Sequence, residues 1–429
     1  MKRGNAALED SDASDTCNKR SKTCSQLHFA DAAPPPMTVT INEREYRLTQ
    51  AFDTFWRWAG ERHAIDEKRR AGLPSPWSTD PILASNKFCN AFRVLDRVSQ
   101  YIVAEVIEKG PQRREEVTFR VLLFSTYTSI RTYETLRKNI QPFTWQAYKR
   151  ANYERVLRDL YNKGTAIYTG AYQKPAPELG FAENFMNHLA FLEVLMRELP
   201  AQLRDAKYLA DIFEYLLTYK SMGDFTAYQL VLNLSYSDVI HFCEHDFVVI
   251  GLGSRRGLQR CFRDAIPRSV EVDIVRWMQI TQHEHFDRLG IKFNGLGPNG
   301  IPMMLCDIEH TLCELDKYIR QCTKKSPGRA FVPSGKLGKL GKIRLPKAWS
   351  NKSRLVLRIK SQTEAEAEVL EKFIVESIEG HRMVDGVREF HVFWEGYSED
   401  EATWEPEDSL MEDAPSVVRA YLKTIQGKC

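Results

Sequence analysis

No run of about twenty apolar residues occurs in this 429-residue chain, so no segment is expected to cross a membrane. The opening stretch "MKRGNAALEDSDASDTCNKRSK" lacks the apolar centre of a signal peptide. The nine cysteines are scattered, odd in number and never spaced as CxxC. That pattern speaks against a disulfide framework and for reduced thiols in a nuclear or cytosolic setting. No GxxxxGK[ST] phosphate loop is found; "SGKLGKLGK" has neither the spacing nor the hydroxyl that would hold magnesium. Acidic residues are missing altogether between Gln321 and Thr363, where twelve Lys or Arg fall.

That last gap exposes a division hidden by a formal net charge of +3. The residues after Thr363 carry seventeen acids against six bases, and those before Gln321 are close to neutral. Three electrostatic characters along one chain imply three jobs. Residues 1–42 read as a disordered tail, polar and ending its first part in "APPP". Lys2-Arg3 with Lys19-Arg20-Ser21-Lys22 has the form of a two-part nuclear import signal. Residues 43–321 are mainly helical: "FCNAFRVLDRVSQYIVAEVI" sets Phe88, Phe92, Leu95, Val98 and Ile102 at helical spacing. Residues 322–363, basic and rich in Gly and Pro, are expected to be a flexible linker that meets phosphate backbones or merely aids solubility. In residues 364–429 the period changes to short alternating strands around Asp385-Gly386, followed by a closing helix with Pro415 in its first turn. The expected fold is multidomain, a large all-α domain followed by a small α+β domain of three antiparallel strands and a C-terminal helix.

"VFWEGYSEDEATWEPEDSL" crowds aromatic rings among carboxylates. Such a mixture is either a core strand and turn or a receptor for a bulky, weakly hydrated cation. With the strands before it and the helix after it, the stretch resembles a chromodomain from about Glu371 to Ile425. That resemblance implies a methylated histone tail as partner, taken up as an added strand. By position the methyl-lysine cage would be Phe373, Trp394 and Tyr397 with Glu401 at the rim, and Trp404 would be a structural tryptophan. Phe373 stands where the family usually has Tyr, Ser409 where it often has Asn, and Glu395 where Lys is common.

In the larger domain, "PWSTDPILASNKFCNAFRVLDRVSQYI", "FRVLLFSTYTSIRTYETL", "MGDFTAYQLVLNLSYS", "HDFVVIGLGSRRGLQRCF" and "CDIEHTLCELDKYIR" follow one another in order. Together they resemble the helical domain of 5-hydroxymethyluracil DNA kinases, a group related to DNA glycosylases. The kinship implies a helix-hairpin-helix in "LLTYKSMGDFTAYQLVL", whose Gly223 turn would offer amides to a phosphate. It also implies that Asp246, near where glycosylases of this class keep a catalytic carboxylate, would act on a flipped nucleotide. The alternative for Asp246 is a cap for a helix opening at Phe247. Phe225 stands where a lyase would need lysine, so Schiff-base chemistry is not expected. Gly251, Gly253 and Gly257 with Arg255 and Arg256 are candidates for close phosphate approach. Arg93, Asp96, Arg97 and Gln100 either line the groove or form a buried ionic network. Where the family has "DCQN", this chain has Asp307-Ile308-Glu309-His310.

"HFCEH" fits a zinc-protease pattern by letter but has no third ligand in view, and Cys306, His310 and Cys313 on one helix face read as core. No metal and no cofactor are therefore expected. The expected function is a nuclear chromatin-associated protein, with histone tail and DNA as its partners. The alternatives are an enzyme or subunit acting on modified thymine in DNA, and a mobile-element product that targets chromatin.

Overall fold

The computed structural model describes residues 37–169, 176–242, 247–323, 340–351, 354, 375–384, 387–394, 402–407, 410–411 and 414–426. It divides into two compact units, Met1–Ile359 and Lys360–Cys429.

The first unit opens with a hairpin, β1 (Thr38–Ile41) against β2 (Arg44–Arg47), paired antiparallel from Thr38↔Arg47 to Ile41↔Arg44. Asn42 and Glu43 both take positive φ (47° and 63°), the backbone of a tight hairpin turn. Residues 38–42 therefore belong to the fold and not to a tail. Four alternating residues and a turn without glycine were too weak a signal in the sequence.

Helix α1 (Gln50–Arg70) follows, capped by the Thr49 side chain, which accepts from the Ala51 amide. Asp53 in its first turn and Lys68, Arg69 and Arg70 in its last complement the helix dipole. Phe52, Phe55, Trp56 and Trp58 are completely buried, so α1 is covered on most sides rather than amphipathic. The chain continues through α2 (Pro81–Ser85), α3 (Arg97–Tyr101), α4 (Arg114–Tyr127), α5 (Ile130–Asn139), α6 (Arg150–Asn162) and α7 (Asn184–Asp205). They are followed by α8 (Leu209–Leu217), α9 (Asp224–Ser235), α10 (Leu252–Cys261), α11 (Arg268–Ile280), α12 (Gln282–Arg288) and α13 (Leu305–Thr323). Helix α13 packs against α1, α10 and α11, and buries Leu305, Ile308, Leu312 and Leu315.

The basic stretch after α13 is not a linker along its whole length. Residues 340–351 and Arg354 lie across the helical unit as a strap. Arg70 donates to the Gly341 carbonyl at 2.8 Å, and Gln100 and the Arg344 backbone exchange two hydrogen bonds of 3.0 Å. Asn351 donates to Asp238 at 2.9 Å, and Arg354 to the Ser235 carbonyl at 2.6 Å. Ala348 is buried, Ile343, Leu345 and Trp349 pack on the core, and Trp349 meets Tyr236 edge-on. So few apolar residues cannot fold alone, but they suffice to dock on a core that already exists.

The second unit is an antiparallel sheet in the order β3 (Val375–Val384), β4 (Val387–Trp394), β5 (Thr403–Pro406), with helix α14 (Pro415–Gln426). Ile378, Phe390, Val392, Leu410 and Val418 form its core. This is the three-stranded sheet and closing helix read from the change of period. On the sheet Trp404 stacks on His391, and the Arg382 guanidinium lies 4.3 Å from its ring centre.

One buried histidine sets a pH limit on the helical unit. His285 stacks on Trp56, touches Phe52 edge-on at 4.8 Å, and shares a 3.0 Å hydrogen bond with Thr281 Oγ1. Burial first, and then the Arg288 cation, push its pKa down from 6.5 to about 4, against a smaller upward pull from Asp53. The fold thus prefers neutral imidazole. Its contribution to stability is complete above pH 6.5 and is lost as pH falls through about 4. Melting temperature should drop across that window, and His285→Phe should flatten part of the drop. An unchanged pH profile in the variant would show that His285 does not contribute to it.

Candidate functional site

Helices α8 and α9 form the expected hairpin, joined by Thr218–Gly223. The left-handed turn residue is Ser221 (φ 78°), not glycine. Gly223 is the N-cap of α9 with an ordinary φ of −74°, and a β-carbon there would meet nothing. Phe225, in the first turn of α9, is 53% exposed. Phe247 packs between the rings of Phe213 on α8 and Tyr228 on α9, which ties the next segment to the hairpin. Asp246 lies outside the described residues. The helix it was to cap does not start at Phe247: the chain runs non-helically to Gly251, and α10 opens at Leu252.

The glycines of that turn serve a neighbouring helix. A β-carbon on Gly257 would stand 2.0 Å from the Leu312 carbonyl oxygen, and one on Gly253 2.6 Å from Cys313 Sγ. Both positions let α10 cross α13 at close range, so their role is helix packing and not approach to a phosphate. The Gly251 amide donates to Glu309 at 3.3 Å, and the Ser254 hydroxyl donates to the same oxygen at 2.5 Å. Glu309 thus occupies the N-terminus of α10, where an anion is favoured. Burial still outweighs these donors and raises its pKa.

The arginines divide in the same way. Arg255 makes two hydrogen bonds, 2.7 and 3.1 Å, to the buried carboxylate of Glu271, which places it in an internal ion pair. Arg93 is an interior residue: its guanidinium donates to Tyr236 at 2.6 Å and to Gln229 and Asn233 at 2.9 Å. Its own amide donates to Asp307, whose pKa burial pushes up to about 6. Arg97 and Arg256 are exposed. The arginine–glycine signature read as a phosphate site therefore separates into packing, internal pairing and two surface cations.

One group was not assembled by sequence reasoning. Cys89, Asp96 and His310 come together, with ligand-type atoms all within 4.8 Å of one another. His310 Nε2 lies 3.3 Å from Asp96 Oδ2. Asp96 Oδ1 accepts from the Asn90 backbone (2.8 Å) and side chain (3.1 Å), and the Cys89 amide donates to Glu314 at 2.9 Å. Burial opposes charge on both His310 and Asp96. Their mutual attraction, with Cys89 beside them, nonetheless holds His310 well above its ordinary pKa and Asp96 below its own. Burial raises the Cys89 thiol. No spacing rule joins positions 89 and 96 to 310, so only the fold reveals the trio. Of the residues read as core on one helix face, Cys306 is buried and Cys313 faces Gly253, while His310 turns to Cys89 and Asp96. His241 of "HFCEH" lies 2.7 Å from an Arg114 nitrogen, and Glu244 and His245 fall outside the described residues.

In the second unit, backbone pairing sets Trp394 at the end of β4 opposite Val375 at the start of β3. Phe373, Tyr397 and Glu401 lie outside the described residues.

Comparison with known proteins finds two family models on the chain. "5-hmdU DNA kinase, helical domain" matches residues 49–328, and "Chromo (CHRromatin Organisation MOdifier) domain" matches residues 373–424. Among curated proteins, the 5-hmdU DNA kinase of Bacillus phage SP10 is 22% identical over 267 residues, 58% of this chain and 41% of the kinase. The chromo domain-containing protein cec-3 of Caenorhabditis elegans is 45% identical over 56 residues, 13% of this chain and 16% of that protein. The chain thus spans well under two thirds of either relative. No solved structure matches it.

The contact at Gly257 has a direct test. Gly257→Ala must push α10 off the α13 backbone, which should destabilise the helical unit by about 2–3 kcal/mol, read as a lowered denaturation midpoint. Gly223→Ala, with open space around it, should change stability far less. Equal effects would mean that the close crossing is not what Gly257 is for.

Proposed function

The chain belongs to the 5-hmdU DNA kinase helical-domain family and carries a chromodomain, and from this pairing we propose a nuclear, chromatin-associated protein that reads methylated lysine on a histone tail while engaging DNA. The chromodomain match carries this reading. It is supported by a sheet and helix of the expected order and by a strand register that sets Trp394 opposite Val375. In this proposal Phe373, Trp394 and Tyr397 receive a trimethylammonium group and Glu401 lines the rim. Ring faces attract such a poorly hydrated cation by about 0.5–2 kcal/mol each. The acidic balance of residues 364–429 complements a basic tail and speeds encounter.

DNA is assigned to the helical unit and its strap. Arg97, Lys220 and Arg256 are exposed, as are the hairpin tip at Phe225 and the α9 N-terminus at Gly223. The docked strap adds Lys342, Arg344 and Lys347, with the Arg344 and Lys347 side chains 64% and 78% exposed. Such a surface suits sequence-independent backbone contact. A second reading, an enzyme subunit acting on hydroxymethyluracil in DNA through Asp246, draws support from the family and from the name of the phage relative.

The cage leads to a calorimetric expectation. The full chain should bind a trimethyl-lysine histone peptide more tightly than its unmethylated form, and Trp394→Ala should remove a preference worth on the order of 1–3 kcal/mol. Equal affinity for the two peptides would end the methyl-lysine reading.

For DNA, affinity should fall steeply with salt, with a log–log slope of about −0.9 per phosphate neutralised. The triple variant Arg256→Gln, Arg344→Gln, Lys347→Gln should flatten that slope by roughly two to three contacts. Hydroxymethyluracil duplex incubated with the protein, with and without ATP, should be recovered unchanged by nucleoside mass spectrometry. Conversion of the base that Asp246→Asn abolishes would favour the enzyme reading instead.

A further inference from the structure

We propose that Cys89, Asp96 and His310 form a binding site for a zinc-class divalent metal ion, which fastens the segment between α2 and α3 to α13.

The donor set is the first argument. One thiol, one carboxylate and one imidazole are the ligand types zinc takes, and three protein ligands with a fourth open position are a common arrangement. The second argument is distance. With metal–ligand bonds of about 2.0–2.1 Å, a tetrahedral site holds its nitrogen and oxygen ligands roughly 3.3 Å apart. His310 Nε2 and Asp96 Oδ2 are 3.3 Å apart, and the three donor atoms all lie within 4.8 Å of one another. The third is direction. His310 Nε2 is buried and faces both the Asp96 carboxylate, 3.3 Å away, and the Cys89 thiol, so all three donor atoms converge on one point.

The surroundings fit the same purpose. Asn90 fixes Asp96 through Oδ1 with two hydrogen bonds, which leaves Oδ2 toward His310. Glu314 fixes the backbone of Cys89. Such outer contacts orient ligands before the ion arrives. About a fifth of the His310 and Asp96 side chains (21% and 22%) remains open to solvent, so an ion can enter and water can reach the fourth position. Among the described residues no other group of His, Cys and carboxylates comes together in this way.

The test uses the full chain, freed of metal with a chelator and titrated with cobalt(II), a spectroscopic stand-in for zinc. One equivalent should produce a near-ultraviolet thiolate-to-cobalt band that zinc displaces. Cys89→Ser should remove the band, and His310→Asn should weaken cobalt binding tenfold or more. His241→Ala, which tests the "HFCEH" stretch, should leave both intact. Circular dichroism of the metal-free variants checks that each is folded. No saturable cobalt band in the unaltered chain, or one that survives Cys89→Ser, or cobalt affinity unchanged in His310→Asn, would overturn the proposal and leave an imidazole–carboxylate ion pair beside a thiol.

Discussion

The carbonyl oxygen of Leu312 leaves no room for a β-carbon at Gly257, and much of the helical unit's geometry depends on that contact. Close crossing of α10 and α13 brings the N-terminus of α10 over Glu309 and sets Arg260 within 2.7 Å of Asp316. Helix α13 thereby becomes a hub of buried and half-buried acids. Asp307 holds the Arg93 amide, Glu309 the α10 terminus, Glu314 the Cys89 amide and Asp316 two arginines. A buried carboxylate is costly without donors, so each one dictates where a different segment must lie.

How much of this was legible depended on which physical signal each residue carried. Apolar spacing identified Phe88, Phe92 and Leu95 as core, and they are buried. It did not show that the same stretch breaks into a 3₁₀ turn at Arg93–Leu95, a short α3 and a π-helical turn at Ile102–Ile107. Burial has a period; continuity of hydrogen bonding does not. Glycines beside arginines proved ambiguous for a similar reason. Both a phosphate and another helix require a backbone without a side chain, and only the presence of Leu312 decides between them.

The C-terminal unit was easier to read because its strands alternate and its turn lies between two β-branched residues, Val384 and Val387, that the register then pairs. The Cys89, Asp96 and His310 group was hardest. His310 lies more than two hundred residues from Cys89 and Asp96, and both Asp96 and His310 also fit other groupings by sequence. Pairings of that kind are set by the crossing of α13 beneath the 89–96 segment, which leaves no local trace.

The strap has an evolutionary side. The kinase-type match ends at residue 328 and the chromodomain match begins at 373, so residues 340–351 and Arg354 fall within neither match. Yet they cover Tyr236 and satisfy the Ser235 carbonyl of the first unit. The border between inherited modules is therefore not the border between folded ones. Exchanging the chromodomain for another at a junction after Arg354 would keep the helical unit whole, whereas a junction just after α13 would strip part of its cover.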